Sequence, residues 1–361
     1  MDILNNNIKF SIPYNGSVPS LFLKEVLKRI DYIDHVYCEF PGNKAISHFK
    51  EHINNVQDYE SQKTYMDRCE KFLRISCGKV KRICTINAGF YSFISEKDFL
   101  DFCNRIVEKV DEYKIDGLII TNYSIGRILH QLRPELELQT SCNCFMWSIK
   151  EMHVWQDNVG VKIFNPPREI LRTPTKLKEM ANAGFKLKCL INAPCMLFCP
   201  NQINHVMCTA TDSYFNGFCY QKDIGDIFRC NYILPRWIDE LKPYVSIFKI
   251  QGRFGFDEAM NGINMYPFHV LDAFLNRNNT VSIFDLFIGG PLFYFGNKVP
   301  KEFLDKITLD KVPDKLLTCE CKDCKSCGLC DKIVKDLIPE EYHHIFDIKQ
   351  NTLDNINTVS D

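Results

Sequence analysis

Cysteine is the residue type with the most chemistry to offer in this chain: 18 of its 361 residues. One group lies in the tail, where Cys321, Cys324, Cys327 and Cys330 recur at every third position and Cys319 stands just ahead of them. So many thiols in so short a stretch cannot all be packing residues. Thiolates are soft ligands that select zinc or iron–sulfur clusters. Consecutive Cys-x-x-Cys steps suit a 4Fe–4S cluster loop, and a small structural zinc knuckle is the alternative. The close spacing favours a cluster, because zinc sites usually pair two separated knuckles.

A second group runs Asn192-Ala193-Pro194-Cys195-Met196-Leu197-Phe198-Cys199-Pro200 and ends in His205. Cys195 and Cys199, four residues apart, can face one metal centre from a single turn of chain. The pair needs two more ligands. Cys219 and Cys230 are the downstream choices, with Cys208 and the distant Cys38 as substitutes. Buried structural thiols are the plain alternative, since free cysteine is among the most buried residue types. His205 reads first as a polar core residue, then as an acid–base group or a cluster ligand. No Gly-x-Ser-x-Gly elbow and no His-Glu-x-x-His helix occurs, so serine hydrolase and zincin mechanisms have no signature here.

These residues need a frame. Short apolar, β-branched runs predict strands at Ile8–Tyr14, Ile33–Phe40, Arg82–Asn87, Gly117–Asn122, Leu136–Ser141, Gly160–Asn165, Lys186–Asn192 and Val245–Ile250. Amphipathic stretches between and after them predict helices, among them Pro19–Ile30, Tyr59–Ile75, Glu96–Glu112, Ser124–Leu132, Ile149–Asp157, Thr175–Ala183 and Asp257–Leu275. Strands alternating with helices give a parallel sheet with crossover helices, and eight is the number that closes a (β/α)8 TIM-type barrel. A doubly wound open sheet is the runner-up; no glycine-rich phosphate loop follows the first strand to favour it. Barrel active sites sit at the C-terminal strand ends. At those ends lie Asn15, Cys38 and Glu39, Asn87, Asn122, Cys142 and Cys144, Asn165, Arg168 and Glu169, Asn192 and Cys195, and Lys249 and Arg253. Lys249 and Arg253, four residues apart beside Gly252, suit a bound carboxylate or phosphate; an ion pair with Asp257 or Glu169 is the alternative.

Composition bounds the rest. Forty-five per cent of residues are hydrophobic, and 44 basic side chains face 45 acidic ones. The net charge of −1 excludes a basic nucleic-acid coat as a whole-chain description. No apolar run is long enough to cross a bilayer, and the start, Met1-Asp2-Ile3-Leu4-Asn5, has no signal-peptide pattern. A reducing cytoplasm is therefore expected, and there clustered cysteines mean metal rather than disulfides. The domain expectation is a barrel over 1–300 and a cysteine-rich metal-binding tail over 301–361.

Phe248-Lys249-Ile250-Gln251-Gly252-Arg253 resembles the Leu-Lys-Ile-Glu-Gly-Arg signature of the collagenase-like peptidases of family U32. Arg168-Glu169-Ile170 is similar to that family's Arg-Glu-Leu element. Ile233–Leu241 is similar to the segment before its signature strand. The resemblance covers roughly residues 80–275 and implies a barrel. It also implies a 4Fe–4S cluster on four cysteines, here approximately Cys195, Cys199, Cys219 and Cys230, as in members that hydroxylate ubiquinone precursors or RNA cytidine without dioxygen. Lys249, Arg253, Glu169 and His205 are then the candidate catalytic residues. An electron-donor protein and a heterodimer partner are implied as well. Two departures stand out: Gln251 replaces the signature glutamate, and the cysteine spacing after the seventh strand is tighter than usual. A peptidase, or a non-catalytic partner stabilised by tail zinc, are the competing readings.

Overall fold

The fold is described from a computed structural model, which covers residues 8–42, 59–87, 95–200, 202–203, 228–252, 262–282, 286, 308–319 and 324–337. Eight parallel strands form one sheet: β1 (Phe10–Pro13), β2 (Ile33–Glu39), β3 (Arg82–Ile86), β4 (Gly117–Ile120), β5 (Glu137–Thr140), β6 (Val161–Ile163), β7 (Lys188–Leu190) and β10 (Ile247–Lys249). They pair in chain order from β1 to β6, and β10 lies between β1 and β7. The remaining seam closes through a parallel bridge between Phe164 and Leu187. There Phe164 donates to the Lys186 carbonyl at 2.9 Å and accepts from the Lys188 amide at 2.7 Å. The architecture is the expected (β/α)8 TIM-type barrel, with all eight strands where the sequence predicts them.

Helices α1 (Pro19–Leu27), α2 (Tyr59–Ser76), α3 (Glu96–Tyr113), α4 (Tyr123–Leu132), α5 (Ile149–Val159) and α6 (Pro174–Asn182) cross over between successive strands. Their boundaries follow local chemistry. Pro19 opens the first turn of α1, where no amide partner is needed. Ser95 accepts from the Asp98 amide to cap α3, and Asn122 accepts from the Ile125 amide to cap α4. A short helix, α7 (Ile238–Leu241), precedes β10. Of the helix expected over Asp257–Leu275, residues 257–261 lie outside the described residues and the rest is helical from Tyr266, as α8 (Tyr266–Leu275). Pro267 in its first turn suits a helix start rather than an interior, and residues 262–265 are not helical.

Strand alternation sorts side chains onto two faces. Val36, Cys38, Phe40, Cys84, Ile86, Leu118 and Ile120 face the helices and join the main core. Tyr37, Ile83 and Ile119 form a separate apolar cluster, which is the barrel interior. The rest of that interior is polar and buried: Ser11, His35, Glu39, Thr85, Gln139, Lys188 and Lys249. Toward the N-terminal end of the barrel, His35 meets the Ser11 hydroxyl at 2.7 Å and Asp34 at 2.6 Å. Lys188 donates to Gln139, whose amide donates to Glu137 at 2.7 Å; Lys81 closes the chain on Glu137 at 2.8 Å. Burial, then the neighbouring charge of Lys249, pushes the Lys188 ammonium well below its usual range.

Two features were not legible beforehand. Between β7 and β10 the chain adds an antiparallel hairpin, β8 (Asn192–Met196) with β9 (Cys230–Tyr232). The expected loop around Cys195 is thus partly a strand. Pro194 is tolerated because a two-stranded ribbon has only edges. Second, the segment after residue 308 packs into the same core as the barrel: Leu309, Val312, Leu316, Leu317, Cys330 and Ile333 are buried with it. Asp314 accepts from the Trp237 indole and from Arg236, both at 2.6 Å. Cys324 and Cys327 bound the short α9 (Cys324–Cys327), and Cys330 lies on the amphipathic α10 (Leu329–Leu337).

Candidate functional site at the barrel mouth

The C-terminal strand ends build the site. After β6, Asn165-Pro166-Pro167 leads into a tight 3-10 turn, Arg168–Arg172, with the backbone of Pro167 at its start. After β5, a second turn, Cys142–Cys144, is capped by Ser141, which accepts from the Asn143 amide at 3.2 Å. Arg168 ties these turns to the hairpin. Its Nη1 donates to the Cys195 Sγ at 2.8 Å and its Nη2 to the Asn143 side-chain Oδ1 at 3.2 Å. On the hairpin, the Asn231 amide donates to the carbonyls of Cys195 and Met196, at 3.0 and 3.1 Å.

Among the described residues, the mouth concentrates buried polar atoms with no hydrogen-bond partner. They include both amide atoms of Asn165, Nε of Arg168, and the side-chain oxygens of Asn87, Asn231 and Gln251. Buried polar groups are nearly always paired in folded proteins. Donors and acceptors grouped at a barrel mouth are therefore available to a bound molecule. Burial raises the Glu169 carboxyl above its usual range, against the charge of Arg168 and the nearby Phe198 backbone and Asn231. Burial also raises the Cys195 thiol, with Arg168 opposing it, and lowers the Lys249 ammonium, with Cys142 opposing it.

Lys249 lies at the inner end of β10 with its Nζ 4.5 Å from the centroid of the Tyr37 ring, a cation–π contact. Among the described residues no ion pair joins it to Glu169. Tyr37 in turn donates to the Ile250 carbonyl at 2.7 Å. Gly252 adopts φ +135, and a Cβ there would stand 2.5 Å from the Tyr266 ring. That backbone is one only glycine adopts readily. Tyr266 supports the signature loop through Asn192, which donates to its hydroxyl at 2.7 Å and accepts from the Gln251 amide at 2.7 Å.

Cys195 and Cys199 are half-buried on one arm of the hairpin region, and Cys230 pairs across it with Met196. Cys38 is not with them: it faces the helical layer, its thiol 3.6 Å from that of Cys84 on the adjacent strand. Cys327 is exposed, Cys330 buried and Cys319 half-buried. Among the described residues no three His, Cys, Asp or Glu side chains stand together as a metal site. Arg253, His205, Cys208, Cys219 and Cys321 lie outside the described residues, as does the side chain of Cys324. Among the described residues, no helix is long and apolar enough to cross a membrane.

Arg172 and Asn231 escaped sequence reasoning. The one hint for Arg172 was its place after Ile170-Leu171, an apolar setting for a charge.

The fold and the polar, thiol-lined mouth define a (β/α)8 barrel protein with a site at the C-terminal strand ends. Residues 52–198 match the model of peptidase family U32. A Methanocaldococcus jannaschii protein called an uncharacterized protease is 26% identical over 223 residues, covering 57% of this chain. The chain spans 62% of that relative's length. Among solved structures, the U32 peptidase Mk0906 has a TM-score of 0.47 at 8% identity, covering 68% of this chain and 93% of its own. A 2,3-dimethylmalate lyase of the PEP mutase/isocitrate lyase superfamily gives a TM-score of 0.37 at 13% identity, covering 92% of this chain and 94% of its own.

Proposed function

We propose that the chain is an iron–sulfur protein of family U32 whose barrel mouth carries out an oxygen-independent redox modification, a hydroxylation, of a small molecule, peptide or RNA. The supporting observation is the β8–β9 hairpin. It carries Cys195 and Cys230 on one short ribbon, with Cys199 just beyond, beside Arg168 and Glu169. By residue type the donors suit a cluster, soft thiols with a guanidinium donating to one sulfur; Cys195, Cys199 and Cys230 do not by themselves stand together as a metal site, and Cys219 lies outside the described residues. Cys195, Cys199, Cys219 and Cys230 would hold it. When bound, such a group supplies one-electron transfer next to the mouth.

The protein's own residues bind and orient. Lys249 and Arg253 attract an anionic group on the substrate. Glu169, biased toward its neutral form by burial, gives or takes a proton there. The overall change balances as R–H + X–OH → R–OH + X–H, with X–OH a hydroxylated organic donor. The substrate C–H carbon is oxidised by two electrons and the donor reduced by two. An electron-donor protein keeps the centre reduced, a heterodimer partner completes the assembly, and a reducing cytoplasm suits the free thiols. In the tail, Cys321, Cys324, Cys327 and Cys330 hold a second 4Fe–4S cluster or zinc.

Anaerobic purification followed by iron, sulfide and zinc analysis tests this. Brown protein with matched iron and acid-labile sulfide, lost on Cys195→Ala, is the expected result. Colourless protein with zinc and no iron rejects it. A second reading, peptidase, rests on the Arg168–Cys195 contact, in which the cation works toward the nucleophilic thiolate against the larger effect of burial. Peptide hydrolysis that survives metal stripping and disappears in Cys195→Ala would establish it instead.

A further inference from the structure

Two aromatic rings flank the barrel mouth, one from each of the segments that Arg168 joins. Trp147 lies between the Cys142–Cys144 turn and α5, and Phe198 follows β8. Their ring centroids are 6.4 Å apart and their planes are within 24° of parallel. Trp147 packs against the core, whereas Phe198 is 64% exposed, so the pair is open on the Phe198 side. Carbon atoms in contact sit about 3.5–4.0 Å apart, so two rings with a third between them stand roughly 7 Å apart. The observed spacing is closer to that value than to direct face-to-face contact.

The backbone holds both rings there under strain. Phe198 has φ +53, and Phe145, two residues before Trp147, has φ +51. Bulky side chains seldom take left-handed backbone, and each such residue costs about 1–3 kcal/mol. Local hydrogen bonds fix both turns. The Phe145 amide donates to the Cys142 carbonyl at 3.2 Å, the Leu197 amide to the Arg229 carbonyl at 2.7 Å, and the Gln202 amide to the Cys199 carbonyl at 3.1 Å. Asparagine would take the left-handed backbone with less strain, so the turn alone does not call for phenylalanine at 198. The same segments carry the reactive groups of the mouth: Arg168 against Cys195, and the Glu169 carboxyl, which the Phe198 backbone faces.

We propose that Trp147 and Phe198 form an aromatic clamp that takes a planar ring of the substrate face to face between them, which makes a small aromatic molecule the ligand class of this mouth. The inference rests on the reading of the barrel mouth as the substrate site, and it does not depend on a cluster there. Trp147 is the fixed wall, held by the core, and Phe198 the outer one. Both act by binding, with no part in proton or electron transfer. Stacking needs a flat π-face on the ligand. A puckered ring of equal size cannot meet both walls at contact distance, so the clamp selects by shape.

The test titrates the full chain, purified anaerobically, into 4-fluorobenzoate and follows binding by fluorine NMR. Cyclohexanecarboxylate, of equal charge and similar size but puckered, serves as the competitor. Wild type is expected to bind the flat acid and to release it to the puckered one only at much higher concentration. Phe198→Asn suits the left-handed turn and loses the outer ring; Trp147→Leu loses the inner wall. Each is expected to weaken binding by roughly 5- to 100-fold, while Phe198→Tyr and Trp147→Phe keep most of it. Thermal midpoints report folding, and Phe198→Asn, at an exposed position, is expected to stay folded. Wild-type affinity in folded Phe198→Asn overturns the proposal. Equal competition by the puckered acid, or no binding of 4-fluorobenzoate by wild type, overturns it as well. Iron and sulfide analysis of the same preparations separates the two readings: ring binding without iron sustains the clamp and rejects the redox chemistry, and iron without ring binding does the reverse.

Discussion

Nη1 of Arg168 stands 2.8 Å from Sγ of Cys195. This one contact joins the turn after β6 to the hairpin that leaves β7, and it sets a permanent cation against the thiol on which the proposed redox chemistry depends. Removing that cation should loosen a thiolate centre without unfolding the barrel. In the anaerobic iron-loaded protein, Arg168→Met is expected to lose cluster iron to a chelator roughly 10- to 100-fold faster than wild type. Arg168→Lys should lie between them. Equal release rates in all three proteins would separate Arg168 from the centre.

Arg82 makes a different prediction, about stability alone. It is 2% exposed. It bonds Asp116 at 2.9 Å and the carbonyls of Leu73 and Tyr113 at 2.9 and 3.2 Å, and also that of Lys114. One side chain thus ties the ends of α2 and α3 to the start of β3. Arg82→Met leaves those carbonyls without this donor, while the carboxylate keeps the backbone amide of residue 82 at 2.7 Å, and should cost about 1–3 kcal/mol. Urea denaturation at neutral pH measures it, and a midpoint unchanged from wild type would refute the assignment.

His35 makes stability depend on acid. Burial holds its pKa down to about 4, from a usual 6.5, although Asp34 pulls the other way. The folded state thus keeps the ring neutral where the unfolded chain binds a proton. Between about pH 4 and 6.5 the unfolded state carries the extra proton, so stability falls as pH drops through that window and is fully present above it. The complete effect is about 3 kcal/mol. Unfolding free energies measured from pH 4.5 to 7.5 should rise with pH, more steeply in wild type than in His35→Asn. Parallel curves for the two proteins would remove His35 as the source.

Gly252→Ala tests the signature loop. Its φ of +135 and the Tyr266 ring 2.5 Å from the would-be Cβ both penalise a side chain. The expected loss is about 1–3 kcal/mol of stability, read as a lowered thermal midpoint. Replacing Tyr266 by Leu as well should not restore it fully, because the backbone strain remains. A wild-type midpoint in Gly252→Ala would contradict the strained geometry.

The barrel was readable in advance because its code is local. Most of the strands β1 to β7 and β10 are short apolar runs, and the helices between them repeat at the helical period, two of them opened by a side-chain cap, Ser95 and Asn122. The rim was readable for the same reason: a residue at the end of such a run, like Glu169 or Lys249, has a known position on a barrel. The hairpin was not. Asn192 finds Tyr232 across a ladder whose strands are separated by a long stretch of chain, and no periodicity in either strand announces the other.

What the sequence determined by itself was the closed eight-stranded barrel, its mouth and the thiol richness of two segments, since these depend on residue type and spacing within a few turns of chain. Only the tertiary structure decided which of those groups meet. It set Arg168 against Cys195, turned Cys38 toward the helices, and buried Arg172 against the hairpin carbonyls of Cys230 and Tyr232. Such neighbours come from strand pairing, the pleat and packing across the molecule, and charge or sulfur content alone cannot say which distant segment will arrive beside them.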